Sequence, residues 1–245
     1  MSKANVLGQA VPSSADNQTN IGSANQEAIY EIFEAHHTEI NTTLVQLHEE
    51  LPYLKDAINL IIGESKSGKT FTTIQSLVDN RLKDSVIHLD FDRNSDSKLR
   101  ELGVKTYHIN DVDKLLKSIS KPTRDELVGS LAGKILVIDS LQDLSLSDGL
   151  DSNSGALLTM GRVQGFKDTG ATIIVIHHVT LDIDGNPKVK GNASVITSKS
   201  DTTISFIKEK QTQRIMKVLN TRAEDKIASG TMFYFPKKVS KYVPK

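Results

Sequence analysis

The fold of this chain is decided by the stretch INLIIGESKSGKT, residues 58–70. Its second part, GESKSGKT, matches the spacing GxxxxGK followed by Ser or Thr. An apolar run typical of a buried strand precedes it, and the helical stretch TFTTIQSLV, residues 70–78, follows it. In this context glycines let backbone N–H groups turn inward around phosphates, and the helix adds its positive end. The stretch therefore predicts a triphosphate site at the start of the first core helix.

The phosphate loop, residues 63–70, contains residue types that bind phosphate and its metal ion. Lys69 reaches the β- and γ-phosphate oxygens, and the Thr70 hydroxyl holds Mg²⁺. Lys66 is an extra cation that either touches phosphate or lies in solvent. The residues predicted to bind the nucleotide are Gly63, Glu64, Ser65, Lys66, Ser67, Gly68, Lys69 and Thr70. ATP and Mg²⁺ are therefore the predicted ligands.

Hydrolysis also requires a carboxylate for Mg²⁺ and a group that orients the attacking water. The apolar run ILVID, residues 135–139, ends in Asp139. An aspartate at the carboxyl edge of a parallel sheet would lie beside the phosphate loop and hold the water shell of the metal. Thr70 and Asp139 are therefore the predicted magnesium residues.

The rest of the sequence predicts one α/β core, which 245 residues with 38% apolar content can fill. Short apolar runs predict strands at residues 57–62, 85–90, 105–109, 135–139 and 172–177. Helical patterns lie between them, after Gly68, around residues 112–118 and at residues 153–167. From residue 201 a period-two hairpin and a last strand at 231–235 follow. We expect a mainly parallel sheet flanked by helices, with a C-terminal antiparallel extension.

The segments outside this core differ in composition. Residues 1–22 are rich in Ser, Asn, Gln and Ala and predict a disordered tail. Residues 23–52 carry apolar positions at helical intervals up to Pro52 and predict an amphipathic helix, which packs either on its own domain or, as an arm, on a neighbouring subunit. The ATPase core is expected at residues 53–236, and residues 237–245 form a basic tail.

Composition excludes several classes of protein. The chain contains no cysteine, so neither a disulfide framework nor a thiolate metal site is possible. No apolar run approaches the length that spans a membrane, and the first residues lack the pattern of a signal peptide. We expect a cytoplasmic protein without a membrane partner.

Charge is distributed unevenly along the chain although the formal net charge is zero. Residues 186–245 hold 13 Lys and Arg against 4 Asp and Glu, whereas the first 185 residues hold 17 against 26. Such asymmetry is typical of a surface that faces a polyanion, and also of a solvated basic face without a partner.

Four separated segments resemble the RecA-like superfamily of P-loop ATPases, which includes recombinases, hexameric helicases of the DnaB and RepA kinds, and phage RecA-like annealing proteins. The segments are GESKSGKT, VIHLDFDRNSD (residues 86–96), VIDSLQDL (residues 137–144) and TIIVIHHVT (residues 172–180). They occur in the order of the family, within residues 57–222. The resemblance implies a RecA-like P-loop NTPase core.

The resemblance also implies catalytic residues besides Lys69 and Asp139. Asp92 matches the water-activating acid, which is usually glutamate in the family; the shorter aspartate implies either a tighter site or slow turnover. On position alone, Asp90 and Asp92 could merely end a strand. His178 matches the residue that senses the γ-phosphate, and relatives of the RepA kind often show a His pair such as His177 and His178.

Two further segments resemble parts of the family that contact other molecules. The segment LDIDGNPKVKGNASVI, residues 181–196, is similar to the second DNA-binding loop, which implies that Lys188, Lys190 and Asn192 contact a single strand; an ordinary turn at residues 184–186 is the alternative. This loop has no aromatic residue, so binding should be mainly electrostatic. Arg222 matches the arginine that helicase relatives extend to a neighbour's γ-phosphate, or else it is an exposed arginine at a strand end.

The function implied by the resemblance is an ATP-hydrolysing motor on single-stranded DNA, in replication or recombination of a bacterial plasmid or phage. A RepA-like replicative helicase, assembled as a hexameric ring or a filament, is the favoured form. A phage-type recombinase or annealing ATPase is the first alternative, because the chain is small and carries Asp92. A KaiC-like regulatory ATPase without DNA and a nucleotide-binding assembly protein with negligible turnover remain open.

Overall fold

The structure is a computed structural model that describes residues 44–93, 97–108, 131–145, 149–181, 187–209 and 213–236. Five predictions lie wholly or largely outside these ranges: the tail 1–22, most of the helix 23–52, the helix around 112–118, the turn 184–186 and the basic tail 237–245.

The described strands and helices follow the predicted alternation. The strands are β1 (Val45–Gln46), β2 (Leu54–Lys55), β3 (Ile58–Gly63), β4 (Val86–Asp90), β5 (Lys105–His108), β6 (Ile135–Asp139), β7 (Thr172–Leu181), β8 (Pro187–Val189), β9 (Thr202–Lys208), β10 (Gln213–Thr221) and β11 (Met232–Pro236). The α-helices are α1 (Lys69–Asp79), α2 (Ser97–Leu102), α3 (Leu141–Leu144), α4 (Asn153–Asp168) and α5 (Ala193–Ser198), and a 3₁₀ turn spans Lys83–Ser85.

The large sheet has the order β11-β10-β9-β3-β7-β6-β4-β5, with β8 paired to β7. Strands β9, β3, β7, β6, β4 and β5 are parallel, whereas β10 and β11 are antiparallel. The α/β fold class, with a mainly parallel sheet and a C-terminal antiparallel extension, is confirmed. Because β7 lies between β3 and β6, the strand ending in Asp139 is not adjacent to the strand that leads into the phosphate loop.

The parallel strands are buried on both faces, which explains their continuous apolar runs. Successive side chains of β3 point to opposite faces. Leu60 packs with Val163 and Phe166 of α4 on one face, and Ile61 packs with Ile74 of α1 on the other. The helix α4 begins after Ser152, whose Oγ accepts the N–H of Gly155 at 2.9 Å. Helices on both faces hold the carboxyl ends of the strands at one edge, where the phosphate loop lies.

The chain differs from the prediction before β3. The expected helix does not extend to Pro52, because residues 44–52 form β1 and a turn, and β1 pairs antiparallel with β2. The Gln46 side chain donates hydrogen bonds to the carbonyls of Glu49 and Leu51 and so stabilises this turn. Leu51 is fully buried against the core. The four-residue spacing of Leu47 and Leu51 therefore reflects a turn over the core rather than a helical face.

Among the described residues, no helix is both long and apolar enough to cross a membrane.

Candidate nucleotide-binding site

The phosphate loop connects β3 to α1 with a backbone that two glycines make possible. A β-carbon on Gly63 would lie 2.8 Å from the carbonyl oxygen of Phe206, so any other residue would collide with β9. Gly68 has a φ of +94°, which residues with a β-carbon rarely adopt. The Ser67 Oγ is buried and has no hydrogen-bond partner among the described residues, whereas Lys66 is exposed. The loop thus presents polar groups that a bound phosphate would satisfy.

Lys69 folds back over the loop. Its Nζ donates hydrogen bonds to the carbonyl oxygens of Gly63 at 2.9 Å and Glu64 at 2.6 Å, and lies 3.5 Å from Nδ1 of His178. Burial lowers the pKa of Lys69 to about 8, while nearby Asp139 and Asp92 oppose this shift. An ammonium group that is partly stripped of water at this position suits a phosphate oxygen as a partner.

Thr70 and Asp139, the two predicted magnesium residues, are in direct contact. The Thr70 hydroxyl donates a hydrogen bond of 2.6 Å to Oδ2 of Asp139. Burial raises the pKa of Asp139 to about 6; Asp90 and Asp143 add to the shift, and Thr70 and Lys69 oppose it. A buried carboxylate beside a hydroxyl is an oxygen donor set that fits Mg²⁺ and gains from a cation.

Asp92 and His178, predicted as water-activating acid and sensor, lie together, with Asp92 just after β4 and His178 within β7 opposite Gly63. The Oδ2 atom of Asp92 is 3.9 Å from Nε2 of His178, and its Oδ1 accepts a hydrogen bond of 3.4 Å from Ser140. Burial and the nearby Lys69 and Lys190 lower the pKa of His178. His178 therefore lies between the ammonium of Lys69 and the carboxylate of Asp92 as a largely neutral ring.

Asp90 has a different environment from Asp92. It is fully buried, opposite Asp139 in the register of β4 and β6, and its Oδ2 lies 3.4 Å from Nδ1 of His108. Of the two carboxylates, Asp92 is the one that contacts His178. The described contacts therefore favour Asp92 over Asp90 as the acid that reaches a water at the terminal phosphate.

Asp143 belongs to this site although the sequence did not single it out. Ser140 Oγ donates a hydrogen bond of 2.5 Å to its Oδ2. Partial burial acts to raise the pKa of Asp143, but hydrogen bonds with Asp92 and Ser140, together with the nearby His178, lower it below its usual value. No sequence pattern singles it out, because its position depends on the contacts that Ser140 and Asp92 make with it.

His177 connects the site to the strand β8. Its Nε2 lies 2.7 Å from the carbonyl oxygen of Lys190, and the Lys190 N–H donates to the carbonyl of His178 at 3.2 Å. Burial lowers the pKa of His177 to about 4, so the ring is neutral and donates through Nε2. The histidine pair thus has two separate contacts, one to Lys69 and Asp92 and one to the segment after β8.

The predicted DNA-binding residues lie on and after β8. Lys188 and Lys190 are exposed. The side chain of Asn192 instead begins α5, because its Oδ1 accepts the N–H of Val195 at 3.2 Å. The two lysines are available to a polyanion, and Asn192 has a structural role in the chain.

Arg222 is not brought to the phosphate loop of its own chain. It follows β10 at the amino edge of the sheet, where Thr221 pairs with Thr202 and Thr202 with Asn59. Asn59 is four residues before Gly63, so the rise of a strand of about 3.3 Å per residue places this level of the sheet about 13 Å from Gly63. The Arg222 side chain is 57% exposed, with Nη1 3.4 Å from Oδ1 of Asp201.

Likeness to known proteins is found among solved structures. No protein family model and no curated protein matches the chain. Among solved structures, the chain is similar to the crystal structure of a KaiC-like protein from the hyperthermophilic archaeon Pyrococcus horikoshii OT3, with 15% identical residues and a TM-score of 0.49 over 81% of this chain and 90% of that chain. No residue role is carried over at that identity, and the site rests on the distances within this chain.

Proposed function

We propose that this chain is a RecA-like ATPase that binds Mg-ATP at the phosphate loop and hydrolyses it. The observation that carries the proposal is the 2.6 Å contact between Thr70 and Asp139, 69 positions apart in sequence, beside the folded-back Lys69. Two segments distant in sequence, the phosphate loop and the end of β6, converge there on one point at the positive end of α1. This is the arrangement that a nucleotide with its metal ion needs.

Each residue of the site has a chemical task in this proposal. Mg²⁺, when bound, neutralises charge that develops on the phosphates. Lys69 exchanges its carbonyl partners for phosphate oxygens, and the Ser67 hydroxyl gains a partner. Asp92 accepts the proton of the water that attacks the terminal phosphorus, as the bond from that phosphorus to the oxygen of ADP breaks. His178 donates from its ring to a terminal phosphate oxygen.

We expect ATP hydrolysis by this chain to be slow, because the water-activating acid is an aspartate. Aspartate is one methylene shorter than glutamate, so Asp92 reaches less far from the end of β4. It is also engaged by Ser140 and Asp143. Since displacements of about 1 Å can change rates about a hundredfold, we expect a low basal rate that a partner can raise.

We propose single-stranded DNA as that partner and a RepA-like motor in replication or recombination as the favoured role. The exposed Lys188 and Lys190 support it, because the contacts of His177 with Lys190 join their segment to the γ-phosphate residue His178. Arg222 is 57% exposed and far from its own phosphate loop, which suits an arginine that leaves Asp201 to act on a neighbouring subunit. The aspartate at position 92 favours instead a recombination or annealing ATPase, and unwinding of forked duplexes against annealing of strands separates the two.

ATP binding by calorimetry and phosphate release during a titration with single-stranded DNA at low salt test the proposal. We expect Lys69→Ala to abolish binding, and Lys190→Ala to weaken stimulation by DNA. The matched control is Lys226→Ala, which removes an exposed lysine that pairs with Asp225. Absence of ATP binding by the wild type would overturn the ATPase, and a rate that DNA leaves unchanged would overturn the DNA-dependent role and favour the KaiC-like alternative.

A further inference from the structure

The sheet order gives the phosphate loop two different sides. Strands β7, β6 and β4 lie on one side of β3, and β9, β10 and β11 lie on the other. The residues assigned to the metal and the terminal phosphate, Asp139, His178 and Asp92, all come from the first side. A nucleotide with its terminal phosphate there has β9 and β10 on the side of the loop away from that phosphate. The second side should therefore contain groups for the α-phosphate.

Arg214 is a cation on that second side that lies close to the phosphate loop. It lies near the start of β10, paired with Lys208 of β9 and Phe235 of β11. Its Nη1 donates to the carbonyl oxygen of Gln213 at 3.1 Å. A β-carbon on Gly68 would lie 3.8 Å from Nε of Arg214. The guanidinium is therefore next to the last glycine of the phosphate loop.

The register of β10 explains this position. Alternate residues of a strand share a face, so Arg214 shares the face of Met216. Met216 packs with Ile74 and Leu77, which lie along α1. Arg214 is two residues nearer to the carboxyl edge of the parallel sheet, and so its side chain reaches the first turn of the same helix.

The charge at this point favours an anion. The first turn of α1 has no acidic residue, and the amino end of a helix carries a partial positive charge. A guanidinium beside it adds a like charge, an arrangement that a bound phosphate stabilises. Lys69 approaches the loop from the other side, where it lies 3.5 Å from His178.

We propose that Arg214 binds the α-phosphate of the nucleotide, so that the antiparallel extension completes the site from the nucleoside side. This inference rests on the proposed ATP site and adds a residue to it. Because the α-phosphate is common to ATP and ADP, Arg214 strengthens the binding of both alike. His178, which faces the terminal phosphate, strengthens the binding of ATP alone.

Calorimetric titration with Mg-ATP and with Mg-ADP separates these roles. We expect Arg214→Ala to weaken both affinities by the same factor, about tenfold, because it removes a charge-assisted hydrogen bond. Arg214→Lys keeps the charge without the planar fork and should fall in between. His178→Ala should weaken ATP only. Lys217→Ala, on the same strand and the opposite face, should leave both affinities unchanged.

Two results would overturn the inference alone: affinities of Arg214→Ala equal to those of the wild type, or a loss confined to ATP. These two results are interpreted against two controls: the wild type binds ATP, and Lys69→Ala does not. A wild type without affinity for nucleotide would overturn the proposed ATP site itself. Circular dichroism and melting curves identify variants that fail to fold, and Arg214→Gln, which keeps most of the side-chain volume, then replaces Arg214→Ala.

Discussion

The two edges of the parallel sheet each contain a buried aspartate, and their partners differ. At the amino edge, Asp201 accepts hydrogen bonds from the Ile58 N–H at 2.8 Å and from Lys167 Nζ at 3.0 Å, and it pairs with Arg222. At the carboxyl edge, Asp139 accepts from the Thr70 hydroxyl and forms no ion pair with a lysine or arginine of the described ranges.

This difference is what we expect between a structural carboxylate and the proposed metal ligand. The fold supplies fixed cations to Asp201, so its charge is balanced in the chain alone. Asp139 is 5% exposed and its pKa is raised to about 6, mainly by burial, so its charge is poorly balanced until a cation arrives. The burial of Asp139 without a matching cation supports a ligand site at the carboxyl edge. Substitutions at Asp139 and Asp201 test this distinction.

The largest effect is expected from Asp139→Asn. We predict that ATP hydrolysis falls about 1,000-fold, because the amide retains the size of the side chain but loses the charge that holds Mg²⁺. The thermal midpoint should stay the same or rise, since an unbalanced buried charge is removed. Phosphate release and calorimetric melting measure the two effects. A hydrolysis rate close to that of the wild type would contradict the assignment of Asp139 to the metal.

The opposite result is expected from Asp201→Asn at the amino edge. The free energy of unfolding should fall by about 3 kcal/mol, because Lys167 and the guanidinium of Arg222 lose their counter-charge. Urea unfolding measures this loss, and nucleotide affinity per folded molecule should not change. A stable Asp201→Asn protein with impaired nucleotide binding would show that Asp201 serves the ligand and not the stability of the fold.

The sequence predicted the carboxyl edge better than the amino edge for a physical reason. The phosphate loop and the strand ILVID are local patterns, in which the order of residue types already determines a strand, a turn and a charge at a strand end. The Asp201 cluster joins residues from four segments, and no spacing indicates it. Arg222 was assigned by resemblance to a neighbour's site, and only the register of β9 and β10 shows that it pairs with Asp201 in its own chain.

Sequence patterns also failed where tertiary packing decides local structure. The spacing of Leu47 and Leu51 predicted a helix, yet both residues pack on the core from the turn that follows β1. The order of the strands in the sheet, and with it the position of Arg214 beside Gly68, is set by how the apolar faces cover one another. Such contacts between distant segments have no periodicity to detect.

A smaller effect, on stability, is expected when the pH is lowered. The pKa of His177 is about 4 in the folded chain, below its usual value, so the unfolded chain binds the proton first. Stability is therefore lost as pH falls from the unfolded value of about 6.5 towards 4, by about 2 kcal/mol between pH 7 and 5.

Urea unfolding of the wild type and of His177→Gln at both pH values isolates this contribution. Glutamine retains an N–H donor for the carbonyl of Lys190 but does not titrate. The contribution of Asp139 to the pH dependence of stability has the opposite sign. Because its pKa is raised, the folded chain binds the proton first and gains stability as pH falls below about 6. If the wild type and His177→Gln lost equal unfolding free energy between pH 7 and 5, His177 would not be the source of the pH dependence.

The smallest effect is expected from Asp143, which combines features of both edges. Like Asp201 it is engaged by neighbours within the chain, Ser140 and Asp92; like Asp139 it lies at the proposed ATP site. If its task is to hold Asp92 in position, Asp143→Ala should lower kcat about fivefold and leave the KM for ATP unchanged, since only the orientation of the water-activating acid is lost. Asp143→Asn, which can still accept from Ser140 and donate to Asp92, should restore most of the rate.

A rise in KM with unchanged kcat would instead place Asp143 among the groups that bind the nucleotide. The carboxyl edge would then hold its ligand through two carboxylates, Asp139 and Asp143, and not through Asp139 alone.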